Sequence, residues 1–208
     1  MKLDNKQIFF LVVSLTISFA VFGQNWKLTK NSDGIKVYTT ENSSSKFQKI
    51  KVECTMEGTF DKLISIISDV KGHKEWVYNN KTSYILKKNS ANDFIYYTET
   101  TIPWPMSNRD AIIHLKIYRD SLNRFINITG TGEPKYMAEK EGKVRVPHTL
   151  INWHVTMPTS KTISVVYTFD TDPGGSLPSW LVNMFSDKGP FESFKKLGAL
   201  LKQSSLKT

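Results

Sequence analysis

The run Asp172-Pro173-Gly174-Gly175-Ser176-Leu177-Pro178-Ser179-Trp180-Leu181-Val182-Asn183, with the apolar-striped segment behind it, constrains this chain more than any other stretch. It reads as the end of a strand, a turn and the start of a helix. Pro173 has no N–H to give a strand ladder and Gly174-Gly175 allow positive φ, so the alternating run before them must stop there. Ser176 is placed to cap the helix, and Pro178 falls in its first turn, where a missing N–H costs little. Leu177, Trp180, Leu181, Met184 and Phe185 recur at helical spacing, which puts all five on one face. Gly189-Pro190 should kink or break the helix, because an interior proline removes one backbone bond and clashes with the turn before it. Phe191, Phe194, Leu197 and Leu201 then resume the stripe.

Most of the chain ahead of that run alternates with the period of a strand. Asp33-Gly34 is a turn, and Ile35, Val37 and Thr39 mark the first strand. After a loop at Asn42 to Ser45, Ile50, Val52, Cys54 and Met56 mark a half-buried second one, so Cys54 is read as a small core residue. Phe60, Leu63, Ile64 and Ile67 form a helical face with Thr59 as its cap, and a short helix over His73 to Tyr78 carries Trp76. Thr82 to Lys88 and Asp93 to Thr101 make a hairpin, followed by the stiff loop Pro103-Trp104-Pro105-Met106-Ser107-Asn108. Ala111, Ile113, Leu115 and Ile117 then alternate, as do Ile151, Trp153, Val155 and Met157, and Ile163, Val165, Tyr167 and Phe169; another strand covers Arg124 to Gly130. Arg109 and Asp110 open their strand on opposite faces, and they are read as a structural pair bonding to surrounding backbone. Two strands, two helices, several strands and a final helix make one α+β domain with an antiparallel sheet.

The Asp-Pro-Gly-Gly-Ser-Leu-Pro-x-Trp-Leu-Val-Asn run, with Pro105 and Asn108-Arg109-Asp110 upstream, resembles the START domain, the lipid-transfer domain related to the steroidogenic regulatory protein. The likeness spans roughly Trp26 to Lys202, and the Asp-Pro-Gly-Gly-Ser run carries more of it than Asn-Arg-Asp. It implies a helix-grip fold, a curved antiparallel β-sheet wrapped around a long C-terminal α-helix, with a tunnel between them for one lipid or other apolar small molecule. The residues expected to line that tunnel are Trp76, Tyr97, Ile113, Leu115, Trp153, Tyr167, Trp180, Met184 and Phe185, with Trp76 either lining it or plugging its closed end. Tyr97, Tyr167 and Asn183 are the polar side chains that could choose among ligands. The resemblance also places the Trp104 loop beside the tunnel mouth, where Trp104 and Met106 either touch a membrane, as tryptophan favours the interface, or tuck onto their own domain. Leu115 stands where some better known members carry a buried arginine, so no particular sterol is implied.

The first residues read as a targeting segment. Lys2 and Lys6 precede an apolar run from Ile8 to Phe22, too short for a bilayer span of about 20 residues and suited to a secretory signal peptide over residues 1–23. Cleavage falls after Gly23 or after Ala20, or the segment stays as an anchor, and the chain is expected to be exported to the periplasm or beyond as a bacterial member of the family. With Cys54 alone there is no internal disulfide, so residues 24–208 must rely on a core that the 39% apolar content can supply. The formal charge of +9, which loses only one unit with residues 1–23, draws the chain weakly to anionic lipid surfaces. The lysines are scattered and the leader takes the chain away from nucleic acid, so that partner is not expected; the chain is read as a monomer.

Catalysis is not expected either. His73, His114, His148 and His154 show no metal-ligand spacing, His148 and His154 should point outwards, and no nucleophile elbow or phosphate-cradling glycine loop occurs. No cofactor or metal is implied. The alternative is a cavity enzyme of the polyketide cyclase or hydrolase type, in which a strand-borne carboxylate such as Glu99 acts as a base. Binding is favoured on magnitude, since burying ten methylenes contributes roughly 8 kcal/mol gross and one hydrogen bond nets about 1 kcal/mol.

Overall fold

The structure, a computed structural model, describes residues 25–40, 47–120 and 122–203. The leader at residues 1–23 and the loop at Asn42 to Ser45 lie outside the described residues. The chain opens with a hairpin, β1 (Lys27–Ser32) and β2 (Ile35–Thr40), joined at Asp33-Gly34, where both φ angles are positive at 53° and 74°. Such a two-residue turn matches the twist of the strands it joins. The strand expected first is therefore the second: β1 is exposed along most of its length, and its Lys-Leu-Thr-Lys-Asn sequence lacks a clear apolar alternation.

β3 (Lys49–Glu57) buries Ile50, Val52, Cys54 and Met56 as expected. Helix α1 (Phe60–Ser68) follows, with the Thr59 hydroxyl accepting from the Lys62 N–H at 3.3 Å, then α2 (His73–Trp76). Next come β4 (Asn80–Ser90), β5 (Asp93–Thr100), β6 (Asn108–Arg119), β7 (Phe125–Gly132), a short β8 (Lys143–Arg145), β9 (His148–Thr159) and β10 (Thr162–Asp172). The sheet runs β1-β2-β3-β10-β9-β7-β6-β5-β4, antiparallel except for β8, which pairs with β6 in parallel.

The segment after the Asp-Pro-Gly-Gly turn forms α3 (Ser179–Asn183), a π-helical turn (Met184–Lys188) and α4 (Gly189–Gln203). Gly174 and Gly175 have φ of 71° and 66°, so the turn does use their freedom. The helix starts later than Ser176, however. Pro178 occupies the cap position without a side-chain bond, and its carbonyl accepts from the Leu181 N–H at 3.0 Å. Pro190 disturbs the helix without breaking it. The Gly189 N–H reaches back five residues to the Met184 carbonyl, and this widened turn absorbs the register change ahead of the proline.

Inward residues of the sheet meet Phe60, Leu63 and Ile67 of α1 and Phe191, Phe194, Leu197 and Leu201 of α4 in one core. Each large apolar side chain fully buried there contributes about 1.5–3 kcal/mol. A second, smaller cluster forms on the convex face from Ile95, Tyr97 and Ile112, with Tyr84, Leu86 and Met137 packed on it. β5 and β6 are thus buried on both faces at that point.

Candidate functional site

The core is incomplete where the concave face meets α3 and the π-helical turn. A cavity of about 310 Å³ lies there, at the lower end of the roughly 300–1,000 Å³ typical of small-molecule sites. The register explains how the sheet supplies its wall. Tyr96 pairs with Ile113, Ile151 with Phe169, and Trp153 with Tyr167, so these inward residues form rungs across the bowl. Trp76 meets Trp153 edge-on at 6.4 Å, and Trp153 stacks on Phe194 at 5.2 Å, which fixes the aromatic end.

Of the residues expected from sequence, Trp76, Ile113, Leu115, Trp153, Tyr167 and Phe185 line the cavity. Tyr97 does not; it belongs to the convex cluster, and its neighbour Tyr96 faces inward instead. Trp180 is 54% exposed and Met184 and Asn183 also lie off the wall, because the inward helical face runs through Leu181, Val182, Phe185, Ser186 and Gly189. Ser186 tolerates that position because its hydroxyl donates to the Val182 carbonyl at 2.8 Å. Trp104 and Met106 stand outside the wall, Trp104 at 91% exposed and Met106 half-buried.

Hydroxyls gather at the end of the cavity nearest the Trp104 loop. Thr98 and Thr100 of β5, and Thr149 paired with Thr171 across β9 and β10, face it there. Arg109 is the one Arg or Lys among the described lining residues. Its guanidinium donates to the Ser107 carbonyl at 2.6 Å, to the Pro173 carbonyl at 3.4 Å and to the Gly174 carbonyl at 3.3 Å. Arg109 therefore bonds to backbone as expected, tying the Trp104 loop to the turn that launches the C-terminal helix.

Asp110 behaves differently from its neighbour. On the convex face its carboxylate takes a two-pronged bond from Arg145 at 2.8 and 3.1 Å, with both side chains buried. Nothing local in the sequence marks Arg145 as that partner. Glu99 is also on the convex side, where Asn108, Lys81 and Lys143 bind its carboxylate at 2.7, 3.1 and 3.2 Å. Burial works against the Glu99 carboxylate, but those three donors outweigh it and hold its pKa below the ordinary value. Glu99 is thus no cavity base, and no Asp or Glu lines the cavity among the described residues.

His73, the buried histidine that sequence reasoning did not single out, lines the apolar end. Its Nε2 is 2.8 Å from the Ile67 carbonyl, so that nitrogen donates and Nδ1 keeps a lone pair. Burial holds the imidazole below its ordinary pKa, offset in part by that carbonyl. His148 and His154 are exposed, as their strand parity requires.

Comparison with known proteins adds a second line. The START domain family model matches residues 19–207. An uncharacterized protein of Pseudomonas aeruginosa is 30% identical over 188 residues, covering 87% of this chain and 92% of the relative. The phosphatidylcholine transfer protein of Bos taurus is 26% identical over 175 residues, covering 82% of this chain and 81% of the relative. The crystal structure of a STAR-related lipid transfer protein fragment from Xanthomonas axonopodis superposes with a TM-score of 0.76 at 29% identity, over 85% of this chain and 98% of that one.

Proposed function

This chain belongs to the START domain family, and from that premise we propose that it holds one lipid or similar apolar molecule between its bent sheet and its C-terminal helix. The observation that carries the reading is the cavity of about 310 Å³, whose wall is aromatic and aliphatic on both the sheet and the helix side. Affinity in such a space comes from apolar area, at about 25 cal/mol per Å² removed from water, and the few polar groups select among guests. The relatives whose names include lipid transfer support the same ligand class. Among the described residues the wall carries no carboxylate, which favours holding a guest over carboxylate acid–base chemistry on it.

On this reading the protein is a carrier, exported under the direction of residues 1–23 and working as a monomer. The guest enters when α3 or the Trp104 loop swings away, and Arg109 is the clasp between them. Trp104, with Met106 beside it, meets the membrane surface during exchange. Native mass spectrometry of protein purified from its own host, followed by organic extraction, tests the reading. A bound mass that extracts as lipid is expected. Protein that is uniformly empty, and that takes up no lipid from mixed vesicles, would refute it.

A further inference from the structure

Arg109 is a buried cation that its own chain leaves uncompensated. It is 5% exposed and lines the cavity. A guanidinium has five N–H groups, and Arg109 spends three of them on the carbonyls of Ser107, Pro173 and Gly174, so one N–H remains on each terminal nitrogen. Two of the three bonds are long, at 3.4 Å from Nε to Pro173 and 3.3 Å from Nη2 to Gly174, and a carbonyl offers only partial charge.

The acids beside Arg109 in the sheet are turned away from it. Asp110 faces the convex side, where Arg145 takes both of its oxygens at 2.8 and 3.1 Å. Glu99, opposite Asp110 on β5, is held on that same side by Asn108, Lys81 and Lys143. No ion pair joins Arg109 to an Asp or Glu among the described residues, and burial alone pushes its pKa below the ordinary value. An uncompensated buried charge is costly, so a guest that brings the opposite charge to this point gains what the protein withholds.

Hydroxyls stand beside the cation. Thr100 lies opposite Arg109 in the β5–β6 pairing and Thr98 opposite Ala111, so both threonines share the concave face with the guanidinium at this end of the cavity. The Thr98 oxygen already accepts from the Asn80 amide at 2.8 Å and from the Ser83 hydroxyl at 3.0 Å, which fills its lone pairs and leaves its proton to give. The other end of the cavity is aromatic, with Trp76, Trp153 and Phe194 packed on one another. A space with a free cationic fork at one end and rings at the other suits an amphiphile, because two N–H groups of a guanidinium match the oxygens of a carboxylate or a phosphate. We propose that Arg109, with the Thr98 and Thr100 hydroxyls, receives an anionic head, a carboxylate or a phosphate, carried by an otherwise apolar guest. This rests on the reading of the cavity as a lipid site and adds to it the charge of the guest's head and the place where that head sits.

The test uses the full chain, dodecanoate and dodecanol as probes of matched length, and displacement of the neutral dye N-phenyl-1-naphthylamine at pH 8. The variant Arg109→Gln removes the charge and keeps an amide to donate to the backbone carbonyls. It should lose about 10- to 100-fold in affinity for dodecanoate and stay within about threefold for dodecanol. In the unmodified protein, the carboxyl signal of bound [1-¹³C]dodecanoate should stay ionised to a lower pH than that of the free acid. That titration decides the matter if Arg109→Gln does not fold. At constant ionic strength, millimolar acetate or inorganic phosphate should leave dodecanoate binding unchanged. Dodecanoate affinity that is unchanged in the variant, dodecanol affinity that falls in parallel, a bound carboxyl that titrates like the free acid, or strong competition by the tailless anions each overturns the proposal and leaves the lipid site standing. Failure of both probes to displace the dye from the unmodified protein would instead remove the lipid site, and the anionic head with it.

Discussion

Removing the Asp110 carboxylate should be among the most damaging single changes outside the apolar core. The Arg145 guanidinium makes five hydrogen bonds, two to Asp110 and three to the carbonyls of Pro134, Met137 and Ala138, which uses all five of its N–H donors. It thereby fastens the segment before β8 onto the convex face of β6, back to back with Arg109 on the cavity side. With side-chain exposures of 3% for Arg145 and 1% for Asp110, water does not replace a lost partner. Asp110→Ala leaves that cation buried and unpaired, a change that costs about 3–5 kcal/mol out of a total stability of about 5–15 kcal/mol.

Urea unfolding followed by tryptophan fluorescence reads this directly. With a slope of about 2 kcal/mol per M, the midpoint should fall by about 1.5–2.5 M. Arg145→Met should fall by a similar amount, since it strands the carboxylate. The double variant removes both charges, so its loss should be smaller than the sum of the singles by at least about 2 kcal/mol. Single variants that cost less than about 1 kcal/mol, or a double that equals the sum of the singles within about 0.5 kcal/mol, would refute the reasoning.

Trp104→Ala should leave the melting temperature unchanged, because the side chain is 91% exposed, and should weaken co-sedimentation with anionic vesicles; equal vesicle binding would remove Trp104 from the membrane contact. The Cys54 thiol, pushed up to about 12 by burial, should react with Ellman's reagent at pH 8 only after unfolding, and rapid labelling of the native protein would contradict its core position. His73 is held below its ordinary 6.5, so the unfolded chain binds its proton first as pH falls. Stability should therefore drop as pH goes from above 6.5 toward 5, by more in the unmodified protein than in His73→Gln, and identical pH profiles for the two would discard the assignment. Hydrogen exchange should be faster over residues 181–188 than over 194–201, since α4 buries Phe194, Leu197 and Leu201 while α3 buries Leu181 alone; uniform protection would argue against α3 as the moving wall.

The parts of this fold that were legible in the sequence are those where a local period meets a single buried face. β3 and β9 bury one alternating set each, and Thr59 caps α1 from a position that any reader of helix starts would choose. β5 defeats the same reasoning, because Phe94, Ile95, Tyr96 and Tyr97 are all buried, half of them toward the cavity core and half toward the convex cluster. With both faces apolar, alternation cannot say which tyrosine points inward. A usable signal lay two residues on: Glu99 shares a face with Tyr97, and a carboxylate that needs Lys81, Lys143 and Asn108 around it cannot belong to a greasy wall. The helix failed for a related reason. A stripe drawn through the largest apolar residues selects Trp180 and Met184, whereas the wall is centred on Leu181, Phe185 and the self-satisfied Ser186. Periodicity ranks residues by hydrophobicity, but a wall is chosen by which residues can leave no polar atom unmet, and a serine bonded to its own helix passes that test as well as a methionine. The Asp110–Arg145 pair was invisible for a third reason: it joins residues 35 apart through the parallel pairing of β6 with β8, which no local pattern encodes.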